Sequence, residues 1–384
     1  MKKLVIIGAG TFQVPLIKRA KELHFETHVF AWRDGSEGET IADYFYPISI
    51  VEKDNILDVC RTIHPDAVTT IASDLANITA SYVAENLGLP CLCDSVIVNT
   101  TNKYHMRKAL SKAGILCPAY EVITLSDWES KLSNFSLPFI LKPTDRSGSR
   151  SVTKIMTKSE ILPALKRAVA DSFEQKAIAE GYIDGVEYSI ETISYAGVHS
   201  LLSITRKYTT GAPHFIETGH IEPAPVSDKL KDTIQTLVFQ SLDALGIQTG
   251  AAHSELKITE SGIPVIIEIG ARMGGDCIGS HLVPLTTGYD YLRMVIDTAM
   301  GITPDFTPLN HHKHAFIRFI MNQNDYLQFT ALKESFPDCI VHVSKLPEDY
   351  SVTAIDSSTR PGYYICAFDD EQIYEKLCME ILGS

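Results

Sequence analysis

The sequence predicts a mixed α/β and α+β chain: an N-terminal doubly wound parallel-sheet domain, a central region with antiparallel strands, and a small C-terminal α+β piece. Three observations predict it. Short apolar runs alternate with helix-like stretches up to about residue 95, the pattern of a parallel sheet covered on both faces. From about Val186, apolar and polar residues alternate, as in antiparallel strands with one wet face. Near Gly262, two apolar runs flank a polar turn, which marks a hairpin.

Element by element, Leu4 to Ile7 reads as a strand ending at Gly8-Ala9-Gly10. A helix is expected from Pro15 to Leu23, and a strand from Thr27 to Trp32. Ala67 to Ile71 reads as a strand, Ile78 to Leu87 as a helix, and Pro90 to Cys93 as a further short strand. Lys103 to Gly114 is helical, with Gly114 as its stop signal. Pro138 and Pro143 enclose a strand, Phe139-Ile140-Leu141, and a Ser/Gly/Arg loop follows through Ser151. Ala177 to Glu187 reads as strand, connector, strand. Val186 to Ile193 and Val198 to Thr205 alternate. The C-terminal piece starts near Thr307, with strands at Ala315 to Met321 and Tyr363 to Ala367. The expected division is 1–100, 101–305 and 306–384, the middle part splitting into a lid of about 115–185 and a larger subdomain of 186–305.

Composition narrows the function. The 384 residues are 45% hydrophobic and 21% charged, ordinary for a soluble globular protein. A formal net charge of −13 with no basic run argues against nucleic acid, whose phosphates need clustered Lys and Arg. No stretch approaches the roughly 18 apolar residues of a membrane span. The start, MKKLVIIGAG, fits a first strand better than a signal peptide. Only Cys91 and Cys93 of the eight cysteines are close, and no CxxC occurs, as expected of reduced thiols in the cytoplasm.

The hairpin carries the most informative chemistry. Folding it about Ser261 and Gly262 pairs Ile258 with Val265 and sets Glu255 opposite Glu268. Like charges at a cross-strand pair are destabilising. A cation between them reverses that sign, and Mg²⁺ commonly takes one or two carboxylates plus substrate phosphates. A solvated pair on an exposed face, or a register slipped by one residue, are the alternatives. Arg272 follows four residues later, beside Gly274 and Gly275, as a fixed fork for phosphate or an oxyanion. Lys142 ends a strand before the loop at Ser147-Gly148-Ser149. Such a loop can fold over a triphosphate, although it is not a Walker A motif.

Together these residues resemble the ATP-grasp superfamily, from about Asn102 to Met300. The resemblance implies ATP with Mg²⁺, two ions being expected and Mn²⁺ a substitute. It implies that Lys103 and Lys142 contact ATP, that the loop Ser147, Gly148 and Ser149 covers the phosphates, and that the backbone of Glu180 and Ile183 holds adenine. Glu187 would bind ribose, Glu255 and Glu268 the metal, and Arg272 the acyl phosphate and tetrahedral intermediate. Many members carry Asn two residues after the second Glu. Here that position is Gly270, so one ligand comes from water or elsewhere. Within the superfamily, the HxE…IExxAR…GG run resembles the bacilysin-type (dipeptide-forming) L-amino-acid ligases. That likeness places Glu217 at the amine and His220 near the transferring carboxyl. Arg206 and Lys207 would reach the phosphates. The implied activity is an ATP-dependent ligase, joining a small-molecule carboxylate, such as an amino acid, to an amine through an acyl phosphate, in a protein whose relatives are often homodimers. Carboxylation through carboxyphosphate and ATP binding without catalysis are the alternatives. Gly8 and Gly10 with Asp34 suggest a dinucleotide site, but Gln13 stands where the third glycine belongs. Ser73, Asp74 and Asn77 are further candidates, with helix capping the simpler role.

Overall fold

Alternate residues of the first strand, Lys3–Ile7, enter two different cores. Leu4 and Ile6 pack with Leu16, Ile17 and Met294, while Val5 and Ile7 pack with Ile56, Leu57 and Val83. The strand is therefore buried on both faces, as a period of two requires when helices cover each side. The computed structural model describes residues 1–212, 215–347, 350, 354 and 356–383. Among these, the first sheet has four parallel strands. In sheet order they are Tyr44–Tyr46, Glu26–Phe30, Lys3–Ile7 and Ala67–Thr69. The doubly wound expectation holds, with one correction. Residues 90–93 form no strand, and the chain passes directly into the helix Asp94–Thr101. Cys91 and Cys93 are exposed there and offer no apolar face to a sheet.

A second sheet has four antiparallel strands, ordered Tyr120–Ile123, Ala177–Gly181, Phe139–Pro143 and Thr153–Ile155. The third has eight, ordered Pro264–Gly270, Gly250–Ile258, Val186–Tyr195, Val198–Thr209, Glu217–Glu222, His314–Ile320, Gly362–Phe368 and Ile340–Val343. The C-terminal strands thus continue the central sheet. One face of this sheet packs on the helix Asp228–Leu245, through Ile190, Leu256 and Ile266 against Ile234, Val238 and Leu242. Ser227 caps that helix and Gly246 ends it in the left-handed conformation (φ 85°), as a C-terminal glycine does.

The hairpin register differs from the symmetric fold. Ile258 pairs with Pro264 and Lys257 with Val265, yet Glu255 still faces Glu268. A bulge at Ile267 restores the alignment, since the extra residue lies on the second strand. Arg107, fully buried on the helix Lys103–Lys112, donates to the Ile267 carbonyl freed by the bulge.

Glu222 gives a pH-dependent expectation. Its buried carboxyl accepts hydrogen bonds from Thr205 Oγ1 (2.5 Å) and Thr286 Oγ1 (2.7 Å). Burial pushes it up to about 7, against roughly 4.3 in an unfolded chain. Between these values the folded state keeps a proton that the unfolded state has lost, so stability falls as pH rises, by on the order of 3 kcal/mol. Glu222→Gln should remove that fall and raise Tm relative to the parent at about pH 8 more than at about pH 5. A Tm difference that is the same at both pH values would contradict the assignment.

Candidate active site

On the strand Gly250–Ile258, a period of two puts His253, Glu255 and Lys257 on the face away from the long helix. They look into a cavity of about 950 Å³, which Glu187, Lys207, His220 and Glu268 also line. From the second sheet come Lys142 and Glu180, and from the connecting loops Ser147, Gly148, Ser149 and Ile183. Lys103, Arg272 and Glu217 complete the set. Fourteen of the residues that the sequence singles out for site roles therefore line one cavity, but Arg206 does not: strand alternation sends it to the face opposite Lys207, where its guanidinium lies over the Tyr208 ring.

The two carboxylates are held by lysines. Glu255 Oε1 lies 2.6 Å from Lys207 Nζ, and Glu268 Oε1 lies 3.0 Å from Lys103 Nζ. Their side chains keep 24% and 26% exposure, enough to meet a ligand. Lys207 also reaches Glu187 (3.0 Å) and Glu217 (3.8 Å). Burial alone would lower the Lys207 pKa; Glu255, Glu187 and Glu217 outweigh it and hold the ammonium well above its ordinary value. Burial likewise opposes ionisation of Glu255, but Lys207 and His253 keep it well below the usual carboxylate range. The donor set suits a hard divalent cation. Two facing carboxylates would supply oxygen ligands, and no third His, Cys, Asp or Glu joins them as a metal cluster among the described residues. The other ligand positions are then left to nucleotide oxygens and water, which Mg²⁺ favours.

Lys142 and Glu180 form a buried pair (2.8 Å), and Arg107 flanks Glu180 at 2.9 Å. Burial opposes the Glu180 charge, yet the two cations hold its pKa down to about 2. The Glu180 side chain is thus occupied, leaving only its backbone for a base. The Ser/Gly loop is anchored at its start. Lys103 Nζ donates to Arg146 O (2.7 Å), and Asp145 accepts from the Phe173 and Glu174 amides. Gly148, Ser149 and Ser151 all have positive φ (70°, 55° and 51°). Successive amides in such turns form an anion-binding concavity.

Arg272 is half-buried against Asp74, with Nε to Oδ1 at 2.8 Å. Ser73 caps the helix Asp74–Asn86, as the simpler reading has it, while Asn77 donates to the Ala271 carbonyl. Asp74 and Asn77 instead tie the first sheet's helix to the Arg272 loop. The pair also bears on Gly270. A Cβ there would sit 3.1 Å from Asp74 Oδ1 and 3.2 Å from Arg272 Cζ, so an Asn would crowd the pair.

His253 has no assigned role in the sequence reading beyond the HxE run. It contacts Glu191 through Nδ1 (2.5 Å) and lies 3.4 Å from Glu255 through Nε2. Burial opposes its charge, but Glu191 pushes it up to about 9, leaving an imidazolium beside Glu255. Glu191 also accepts from the Gly274 amide (3.0 Å) and Tyr291 hydroxyl (3.1 Å). A Cβ at Gly274 would collide with it at 2.2 Å. Asp276, Ser357 and Arg360 line the cavity and were not legible. Gln13 fills the first turn, donating to the Ile71 carbonyl (2.9 Å) where a dinucleotide motif has its third glycine.

The family model described as an ATP-grasp domain matches residues 135–280, which take in three of the second sheet's four strands and both carboxylates. Residues 135–280 form an ATP-grasp domain. Alanine–anticapsin ligase of Bacillus subtilis (strain 168) is 29% identical to the chain over 279 residues, covering 63% of this chain. The chain spans 58% of that relative's length. A crystal structure of an L-amino acid ligase from Bacillus licheniformis superposes with a TM-score of 0.84 at 24% identity, covering 99% of this chain and 97% of that one. The biotin carboxylase domain of 2-oxoglutarate carboxylase from Hydrogenobacter thermophilus, in complex with MgADP, ADP and bicarbonate, gives 0.77 at 16% identity, covering 100% and 90%. These structures share the ATP-grasp fold with this chain. No helix among the described residues is long and apolar enough to cross a membrane.

Proposed function

We propose that the chain is an ATP-dependent carboxylate–amine ligase. What carries the reading is the facing pair Glu255 and Glu268, with Lys103, Lys142 and Lys207 around the same cavity. The relatives named as ligases and the neighbour holding MgADP support it.

A carboxylate is a poor electrophile at neutral pH. Transfer of the γ-phosphoryl group to a carboxylate oxygen creates a mixed anhydride and releases ADP. The lone pair of the neutral amine then attacks the carbonyl carbon, the bond from that carbon to the bridging oxygen breaks, phosphate leaves with the electron pair, and the nitrogen gives up a proton to the departing phosphate or to solvent. Mg²⁺ bound at Glu255 and Glu268 would neutralise charge along the phosphate chain. Lys103, Lys142 and Lys207 present further positive charge to the phosphates. The loop at Ser147, Gly148 and Ser149 donates amides and excludes water, protecting the anhydride from hydrolysis. Glu180 and Ile183 offer backbone groups to adenine, and Glu187 turns from Lys207 to the ribose. Arg272, aimed by Asp74, steadies the oxyanion. Glu217 holds an amino group, and His220 sits beside the reacting carboxyl.

A phosphate-release screen with Mg-ATP tests the reading. Pairs of amino acids should give ADP and phosphate in step with amide formation. Release driven by bicarbonate alone would instead make the protein a carboxylase, and ATP binding without turnover a binding module.

A further inference from the structure

Glu191 is fully buried in the strand Val186–Tyr195, and the proposed reaction gives it no part. Its cross-strand partner is His253, two residues before Glu255 on the neighbouring strand. Taking an ion pair out of water is costly, and apolar residues of similar volume often serve a core as well or better. Stability alone therefore does not account for this pair.

The two oxygens of Glu191 have separate partners. Oε2 accepts from the Gly274 amide (3.0 Å) and the Tyr291 hydroxyl (3.1 Å), which fixes the plane of the carboxylate. Oε1 is left to His253 Nδ1 (2.5 Å), which fixes the ring. Gly274 has to be a glycine here, since a Cβ would run into both Glu191 and His253. The other ring nitrogen, Nε2, lies 3.4 Å from Glu255 Oε1. Lys207 Nζ reaches the same oxygen at 2.6 Å. Both contacts take Oε1, so Glu255 Oε2 has no hydrogen-bond partner among the described residues. Lys103 likewise holds Glu268 by Oε1 (3.0 Å). Each of the facing carboxylates is held by one oxygen and keeps the other for a ligand.

We propose that Glu191 is a positioning residue for the metal site, aiming Glu255 through His253. It touches neither substrate nor ion. The proposal rests on the metal role given to Glu255 and Glu268, and names what orients one of these two ligands. A carboxylate that is turned into place only when the ion arrives loses its side-chain freedom at that moment, whereas one already aimed has lost it on folding. Removing a group that orients a metal ligand typically costs on the order of 10–100-fold in metal affinity.

The test is the affinity of the full chain for Mn²⁺ in the presence of ADP, read from the free Mn²⁺ signal by electron paramagnetic resonance. No turnover is needed. Glu191→Gln should weaken Mn²⁺ binding by about tenfold, the low end of that range, while ADP affinity without metal stays within about twofold. The amide keeps one accepting oxygen, so it cannot serve both His253 and the pair Gly274 and Tyr291. His253→Leu should cause a like loss, and adding Glu191→Gln to it should cause no further one. If Glu191→Gln does not fold, His253→Leu alone decides. Tyr291→Phe removes one partner of Glu191 but leaves the Gly274 amide in place, so it should lower Tm and keep Mn²⁺ affinity within about twofold. Unchanged Mn²⁺ affinity in Glu191→Gln or His253→Leu, or losses that add in full in the double variant, would overturn the proposal. So would an equal loss in Tyr291→Phe, which would make Glu191 a strut of the fold. The combined Glu255→Gln and Glu268→Gln protein tells the two claims apart. If it loses Mn²⁺ and Glu191→Gln does not, the positioning role falls alone. If it binds Mn²⁺ as the parent does, the metal reading falls and takes this proposal with it.

Discussion

Glu268→Gln should abolish substrate-dependent ADP release, by at least about a thousandfold, because a catalytic metal ion supplies several kcal/mol to such a step and about 1.4 kcal/mol is tenfold in rate. The amide keeps the size of the carboxylate but lacks the charge that would bind the cation. Folding should survive. Glu268 lies at the cavity wall with 26% side-chain exposure, and among the described residues its side chain pairs with Lys103 alone. The strand pairing that places it uses backbone groups, and the Ile267 bulge is fixed by Arg107 rather than by Glu268. Coupled ADP release assayed beside circular dichroism checks both halves. Near-normal turnover would remove the metal role from Glu268.

Arg272→Ala should act on a different quantity. Product formation should fall by on the order of 10²–10³, the usual effect of deleting one oxyanion donor, while ATP affinity changes little. The reason is geometric. Arg272 sits beyond the hairpin, turned toward Asp74 at 2.8 Å. In the proposed reading the lysines, not Arg272, serve the phosphates. Asp74→Asn offers a milder companion, since it keeps the guanidinium but loosens its aim. Single-turnover rates beside nucleotide titrations separate the two effects. An unchanged rate in Arg272→Ala would make the arginine a strut between the first sheet's helix and the hairpin.

Much of this site was legible because its residues are set by local periodicity. Glu255 and Glu268 are placed by one hairpin, and strand alternation carries His253 and Lys257 to the same face. The register between them was right for a partly wrong reason. The turn is tighter than the symmetric fold, and a bulge compensates. Nothing local signals a bulge whose free carbonyl is taken by Arg107 from 160 residues earlier. Asp74 shows the same limit. Next to Ser73 it looks like part of a helix cap, and only the fold brings it to Arg272 across 198 residues. Asp276 and Arg360 meet across 84 residues, with no motif at either end. The Pro90 to Cys93 strand failed because a short apolar run fixes neither strand nor coil without a partner.

The central claim is that Glu255 and Glu268 together hold a divalent ion against a nucleotide. Electron paramagnetic resonance of Mn²⁺ titrated into the protein with ADP tests it without any turnover. The free Mn²⁺ signal should disappear stoichiometrically in the parent, and should persist when Glu255→Gln and Glu268→Gln are combined. Equal loss of the free signal in both proteins would place the ion elsewhere and contradict the account.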